Sequence, residues 1–156
     1  MQKFYLLLVS VILLVSCGTN KSSKVDNSVS GRAKVVLSKA HDFYGTPYQY
    51  GGTTKRGMDC SGLALVSFEE IGIQLPRNSA KQAAYGTNVN LRRVQPGDML
   101  FFNTSGSGIS HAGIVDHIKN GEVFFIHASS SKGVMVSSLE NKYWKKRFVK
   151  VVRYIH

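Results

Sequence analysis

Hydrophobic periodicity changes once along this chain, at Pro96, and that change constrains its fold more than any other feature. Ahead of Pro96 the apolar residues recur at helical spacing. Val35, Val36, Ala40 and Phe43 give residues 32–44 an apolar face, and Gly45 closes it. Asp59 is a good N-cap for a helix over residues 60–71, which Gly72 ends. Leu63, Leu65, Val66, Phe68 and Ile71 cover much of that helix's circumference, which suits a helix at the centre of a domain. Residues 76–86 read as a short irregular helix after a turn. Behind Pro96 the pattern is that of strands, at 98–103, 112–118, 122–128, 134–136 and 148–154. Asn120-Gly121 is a hairpin turn between two of them. Helices first and strands second predict an α+β fold, with the N-terminal helices packed on an antiparallel sheet.

The chain has 156 residues, a length that suggests one domain, and residues 1–31 do not read as part of it. Lys3 supplies a positive start, and residues 4–15 are apolar except for Ser10. That run is short of the ~20 residues of a membrane-spanning helix and fits the apolar region of a signal peptide. It ends in Leu14-Val15-Ser16-Cys17, which resembles the lipobox of bacterial lipoproteins. The resemblance implies cleavage after residue 16 and lipidation of Cys17, so that membrane contact runs through that anchor. Several acyl chains make such an anchor stable. The following stretch to Ser30 is rich in Ser, Asn and Lys and reads as a tether. The expected organisation is therefore a signal peptide at 1–16, lipidated Cys17 and tether at 17–31, and a folded domain at 32–156. Gly18, where an Asp would signal inner-membrane retention, leans the expected location towards the outer membrane, facing the periplasm.

There are two cysteines, Cys17 and Cys60. A lipidated Cys17 cannot form a disulfide, which leaves Cys60 as a free thiol. As the first residue of its helix, Cys60 would have its thiolate stabilised by unpaired N–H groups and the helix dipole. Its own N–H is placed to hold a developing oxyanion. Such a thiol needs a base, and His is the usual one. His41, His117 and His156 read as surface or terminal residues. His111 opens the apolar run Ala112-Gly113-Ile114-Val115, and His127 ends the run Val123-Phe124-Phe125-Ile126. If those runs pair as a hairpin, the two rings lie side by side, one as base and one orienting it.

Six runs occur in order across residues 32–156. They are Thr46-Pro47-Tyr48-Gln49-Tyr50-Gly51-Gly52, Asp59-Cys60-Ser61-Gly62-Leu63, Leu75-Pro76-Arg77, Pro96-Gly97-Asp98-Met99-Leu100-Phe101-Phe102, His111-Ala112-Gly113-Ile114-Val115 and Ile126-His127-Ala128-Ser129. Together they resemble the NlpC/P60 cysteine peptidases, whose fold is papain-like. The resemblance implies Cys60 as nucleophile, His111 as general base, His127 as the residue orienting it, and the Tyr48 hydroxyl as an oxyanion donor. It implies that Asp59 and Ser61 contact the free amine of a substrate, although an N-cap role is a sufficient reason for Asp59. Arg77 is expected at most to line the cleft. The implied substrate is a peptidoglycan stem peptide, cut between the γ-carboxyl of D-glutamate and diaminopimelate or lysine. No metal or other cofactor is required, and a monomer is expected.

The net charge of +11, from 20 Lys and Arg against 9 Asp and Glu, favours an anionic partner. No nucleic-acid-binding motif accompanies it, so no nucleic-acid partner is expected. Lys145-Lys146-Arg147 reads as a solvated face. Two other readings stand beside the endopeptidase. One is an amidase cutting between muramic acid and L-alanine with the same Cys/His chemistry, and the other is a wall-binding lipoprotein without turnover.

Overall fold

The computed structural model describes residues 29–156. The expected signal peptide, Cys17 and most of the tether lie outside the described residues. Helix α1 spans Val29–His41, starting three residues ahead of the expected Arg32 and so taking in the last residues assigned to the tether. Its inward face is Ala33, Val36 and Ala40, while Val35 is exposed. Phe43, beyond the helix end, packs in the same core. A small antiparallel ribbon follows, β1 (Thr53–Thr54) with β2 (Gly57–Met58). Helix α2 spans Cys60–Glu69. Helix α3 (Ser79–Tyr85) occupies the short helical stretch, capped by Asn78.

The strands are β3 (Thr87–Val89), β4 (Met99–Phe102), β5 (His111–Lys119), β6 (Glu122–Ser129), β7 (Gly133–Ser138) and β8 (Phe148–Arg153). Six of them form one antiparallel sheet in the order β3-β8-β4-β5-β6-β7. The β5–β6 hairpin turns at Asn120 and Gly121, both at positive φ, the backbone that a two-residue Asn-Gly turn demands. Between β7 and β8 lies a helix that hydrophobic periodicity does not reveal, α4 (Lys142–Arg147).

Strand β4 is buried along its whole length because both faces of the sheet are covered. Met99 and Phe101 join the main core, where α1 and α2 pack on the sheet through Val36, Ala40, Leu63 and Phe68. Leu100 and Phe102 point the other way, into a second cluster with Val115, Phe125 and Val151 that Trp144 of α4 covers in part. Helix α2 is thus held against the centre of the sheet, as its all-round apolar pattern predicts. Asp98 and Arg153 tie the start of β4 to the end of β8: Arg153 Nε and Nη2 each donate to the carboxylate at 2.7 Å.

Candidate active site

The N-terminus of α2 is built around Asp59. Its Oδ1 accepts from the Gly62 N–H at 2.7 Å, the expected capping bond. It also accepts from the Ser61 hydroxyl at 3.1 Å and from Arg77 Nη1 at 2.9 Å. Oδ2 accepts from the Gly51 N–H at 2.7 Å and Arg77 Nη2 at 2.8 Å. Burial pushes the Asp59 carboxyl up, but Arg77 and the two backbone N–H groups outweigh it and hold the carboxyl below its usual range. From sequence Arg77 is expected at most to line the cleft, and it does line it. It is also the fork that neutralises Asp59, with the two parallel contacts that a guanidinium makes to a carboxylate. Its Nη1 also donates to Ser61 Oγ at 2.8 Å. The Ser61 carbonyl is pinned in turn by the buried Gln82 side-chain amide at 2.9 Å. The close approach of the Gly52 carbonyl to α2 requires Gly62, since any Cβ there would overlap that oxygen.

This frame sets Cys60 at the first position of α2, half-buried and without a disulfide partner among the described residues. Burial raises the thiol's pKa. The backbone N–H of Ala112, with those of Ser61 and Cys60 itself, acts against that, while the Asp59 charge adds to it. Thiolate stabilisation by the helix start, expected from sequence, is therefore present and is outweighed by loss of solvent. Tyr48, held by a bridge to Met58, lines the same cleft as Cys60. Burial and the nearby sulfur raise its phenol pKa, so it stays a hydrogen-bond donor.

The expected pairing of the two histidines is present. β5 and β6 are antiparallel neighbours, and His111 Nε2 lies 3.0 Å from His127 Nδ1. Gly113 makes room for this diagonal contact, because a Cβ there would fall 3.2 Å from His127 Cβ and overlap the Phe125 ring. The imidazole chain runs on to a residue that no sequence pattern marks: His127 Nε2 lies 2.9 Å from Ser137 Oγ on β7. One direction of donation leaves a lone pair on His111 Nδ1 for a thiol proton. His111 Nε2–H donates to His127 Nδ1, and His127 Nε2–H donates to Ser137. Trp144 stacks on His111, with ring centres 5.0 Å apart and planes 23° apart, and meets His127 edge-on at 4.7 Å. Burial lowers His111 to about 4; burial and the neighbouring His111 lower His127 to about 3. Both rings are neutral near pH 7.

Cys60 and Tyr48 sit where two hollows meet. One, of about 480 Å³, is lined by His111, His127, Ser137 and Trp144; the other, of about 450 Å³, by Asp59, Ser61 and Arg77. The structure thus brings Cys60, His111, His127, Tyr48, Asp59 and Ser61 to one cleft. A larger hollow of about 770 Å³, near Tyr85 and Tyr154, contains none of these residues. The other histidines are elsewhere: His41 and His117 both contact Asp116, at 2.6 and 2.8 Å, and His156 lies near Thr87.

A thiol at a helix start, facing a buried imidazole chain across a cleft between helices and an antiparallel sheet, defines the papain-like class of α+β hydrolase folds. Within that class the chain belongs to the NlpC/P60 family, whose model matches residues 45–153. It is 42% identical to the probable endopeptidase NlpC of Escherichia coli strain K12, over 94% of this chain and 96% of that one. It is 41% identical to the gamma-DL-glutamyl hydrolase of Bacillus subtilis strain 168, over 76% of this chain but 29% of that longer protein. Among solved structures, an NlpC/P60 family protein from Bacillus cereus ATCC 10987 superposes with a TM-score of 0.71 at 27% identity, covering 80% of this chain and 40% of that one.

Proposed function

We propose that this protein is a thiol-dependent endopeptidase that cleaves peptidoglycan stem peptides between the γ-carboxyl of D-glutamate and diaminopimelate or lysine. The observation that carries the reading is the imidazole chain His111–His127–Ser137, placed in the cleft that Cys60 opens onto. Family membership and the likeness to a gamma-DL-glutamyl hydrolase support the choice of bond.

His111 Nδ1 takes the Cys60 proton as the sulfur attacks the carbonyl carbon. The Cys60 N–H and the Tyr48 hydroxyl hold the oxyanion that forms. Protonated His111 then passes its proton to the leaving nitrogen, the C–N bond breaks, and a thioester remains on Cys60. Neutral His111 next takes a proton from water, whose oxygen attacks the thioester. The acid is released and the proton returns to the sulfur. His127 keeps the His111 ring in the productive tautomer throughout.

Asp59 and Ser61 stand beside the acyl half of the cleft, where the resemblance implies contact with a free substrate amine. Arg77 already fills both carboxylate oxygens, so an ammonium has to share Asp59 with a resident guanidinium. This favours, as a second reading, cleavage of peptides whose N-terminus is not free. The amidase is one such case. Purified peptidoglycan digested with the enzyme, followed by fragment masses, separates these bonds. Cys60→Ala is expected to lower turnover by about 10⁴-fold or more, the scale of losing a nucleophile. Cleavage undiminished in that variant would refute the assignment.

The apolar run over residues 4–15, followed by Ser16-Cys17, supports a further part of the reading, lipid anchoring in the cell envelope with the catalytic domain facing the periplasm from the outer membrane. The mature N-terminus is then expected to carry a diacylglyceryl thioether and an amide-linked acyl chain on Cys17. An unmodified Cys17 by mass spectrometry would sink this.

A further inference from the structure

The two halves of the cleft differ in charge, and that difference assigns a specificity residue. His111 lines the 480 Å³ half and not the other. Because His111 has to protonate the leaving nitrogen, its half receives the leaving amine, and the Asp59–Arg77 half receives the acyl group. This step rests on the hydrolase reading above. The acyl half carries a neutral balance, one carboxylate against one guanidinium. Among the described residues no carboxylate lines the leaving half. Its lining includes the hydroxyls of Ser129, Ser130 and Ser131, and among the described residues its one Lys or Arg is Lys132.

Lys132 is exposed and takes part in none of the ion pairs among the described residues. The backbone beneath it is fixed. Gly133 follows at a φ of 73°, lying so close to the Thr46 carbonyl oxygen that any Cβ there would overlap it. Val134 N–H donates to Thr46 O at 2.8 Å, and Gly45 N–H donates to Val134 O at 2.9 Å. These bonds fasten the turn between β6 and β7 to the segment that leads into Tyr48. An ammonium without an ion pair among the described residues, on an anchored turn that shares its hollow with serine hydroxyls and no described carboxylate, suits an anionic oxygen ligand.

We propose that Lys132, with the serine hydroxyls beside it, is a subsite for a carboxylate on the leaving residue, so that the enzyme favours substrates whose leaving amine bears a free carboxylate. Two peptides test this: L-Ala-γ-D-Glu-L-Lys with a free C-terminal carboxylate, and the same peptide as its carboxamide. Peptidoglycan digestion runs in parallel as the measure of the hydrolase reading itself. The wild type is expected to cleave the free acid about 10-fold faster in kcat/KM, the scale of one charge-assisted hydrogen bond, and to lose much of that preference in high salt. Lys132→Met is expected to remove the preference with little change on the carboxamide, and Lys132→Glu to reverse it. A preference that survives Lys132→Met would overturn the subsite. So would equal rates for the two peptides in the wild type, or cleavage of peptidoglycan with neither peptide turned over. Failure to cleave peptidoglycan at all would instead overturn the hydrolase reading, and the subsite with it.

Discussion

Ser137 is a single hydroxyl with a consequence for two imidazoles. A neutral imidazole has one donor and one acceptor nitrogen, and the partner of one nitrogen decides the role of the other. Ser137 Oγ faces His127 Nε2 at 2.9 Å. Accepting a hydrogen bond from that nitrogen makes His127 Nδ1 an acceptor, which in turn leaves His111 Nδ1 free to act as base. Outer partners of this kind are worth roughly 10-fold to 100-fold when removed from metal-bound histidines. Ser137→Ala is expected to lower kcat by about 10-fold with KM nearly unchanged, and Ser137→Thr, which keeps the hydroxyl, to restore it. The pH profile gives a readout that a merely structural role would not move. With His111 lowered to about 4, wild-type kcat/KM is expected to hold its value down to about pH 5 and to fall near pH 4, as the base is protonated. In Ser137→Ala the plateau drops while the stability of the protein stays close to wild type. An acid limb near pH 6.5 in the wild type would contradict the burial of His111.

At the scale of elements, most of the fold was legible because burial writes itself into period. The apolar runs from Pro96 onward gave five of the six strands of the large sheet, and Asn120-Gly121 gave their hairpin. The Asp59 cap and the all-round apolar pattern gave α2 and its central position. Strand β3 was missed because Thr87–Val89 is a three-residue edge strand with two exposed positions, too short for alternation to register. Helix α4 was missed for the opposite reason. Its six residues include three basic ones in the last turn, and none is fully buried. Composition there reports a solvated face, and this is correct for Lys145, which pairs with Glu140. It hides Trp144, the one residue of α4 that lies over the imidazole pair. The Asn141 cap ahead of Tyr143 and Trp144 is the signal that could have found it. Strand β7 was expected to stop at Val136, where the apolar run ends, but pairing with β6 carries it on to Ser138. Ser137 lies in that polar extension. Arg77 was undervalued because a lone Arg after Leu-Pro carries no periodic signal, and its partner Asp59 already had a sufficient explanation as a cap. Contacts between a loop and a helix start are set by the three-dimensional path of the chain, and single-sequence patterns carry little of that.

For the whole molecule, the buried imidazoles tie stability to pH. His111 and His127 are 8% and 1% exposed, and both are held neutral in the fold, at about 4 and about 3 against an ordinary value of 6.5. In the unfolded chain they take up protons as pH falls through 6.5. In the folded protein they do not until pH approaches 4. Between those values the unfolded state binds more protons, so stability rises with pH across that window. The contribution is complete above about pH 6.5 and is lost progressively down to about pH 4, where the folded protein begins to bind protons as well. For His111 alone the gap between 6.5 and about 4 corresponds to roughly 3 kcal/mol, a large share of the ~5–15 kcal/mol of a whole domain. Asp59, with its carboxyl held low by Arg77, acts in the same direction in a lower window: its contribution is present above the ordinary carboxylate value and is lost as pH falls further. Urea unfolding at pH 7.5, 6.0, 5.0 and 4.5 is expected to show the midpoint falling across the series. Replacing one titrating ring with a neutral amide, His127→Gln, removes one of the two groups that drive the loss. The pH dependence between 6.5 and 4 is then expected to flatten by roughly half, even though the variant starts from a lower stability at pH 7.5 through loss of ring packing against Trp144 and Phe125. An unchanged slope in His127→Gln would mean that the imidazole chain does not govern the acid response, and that its burial does not hold the rings neutral.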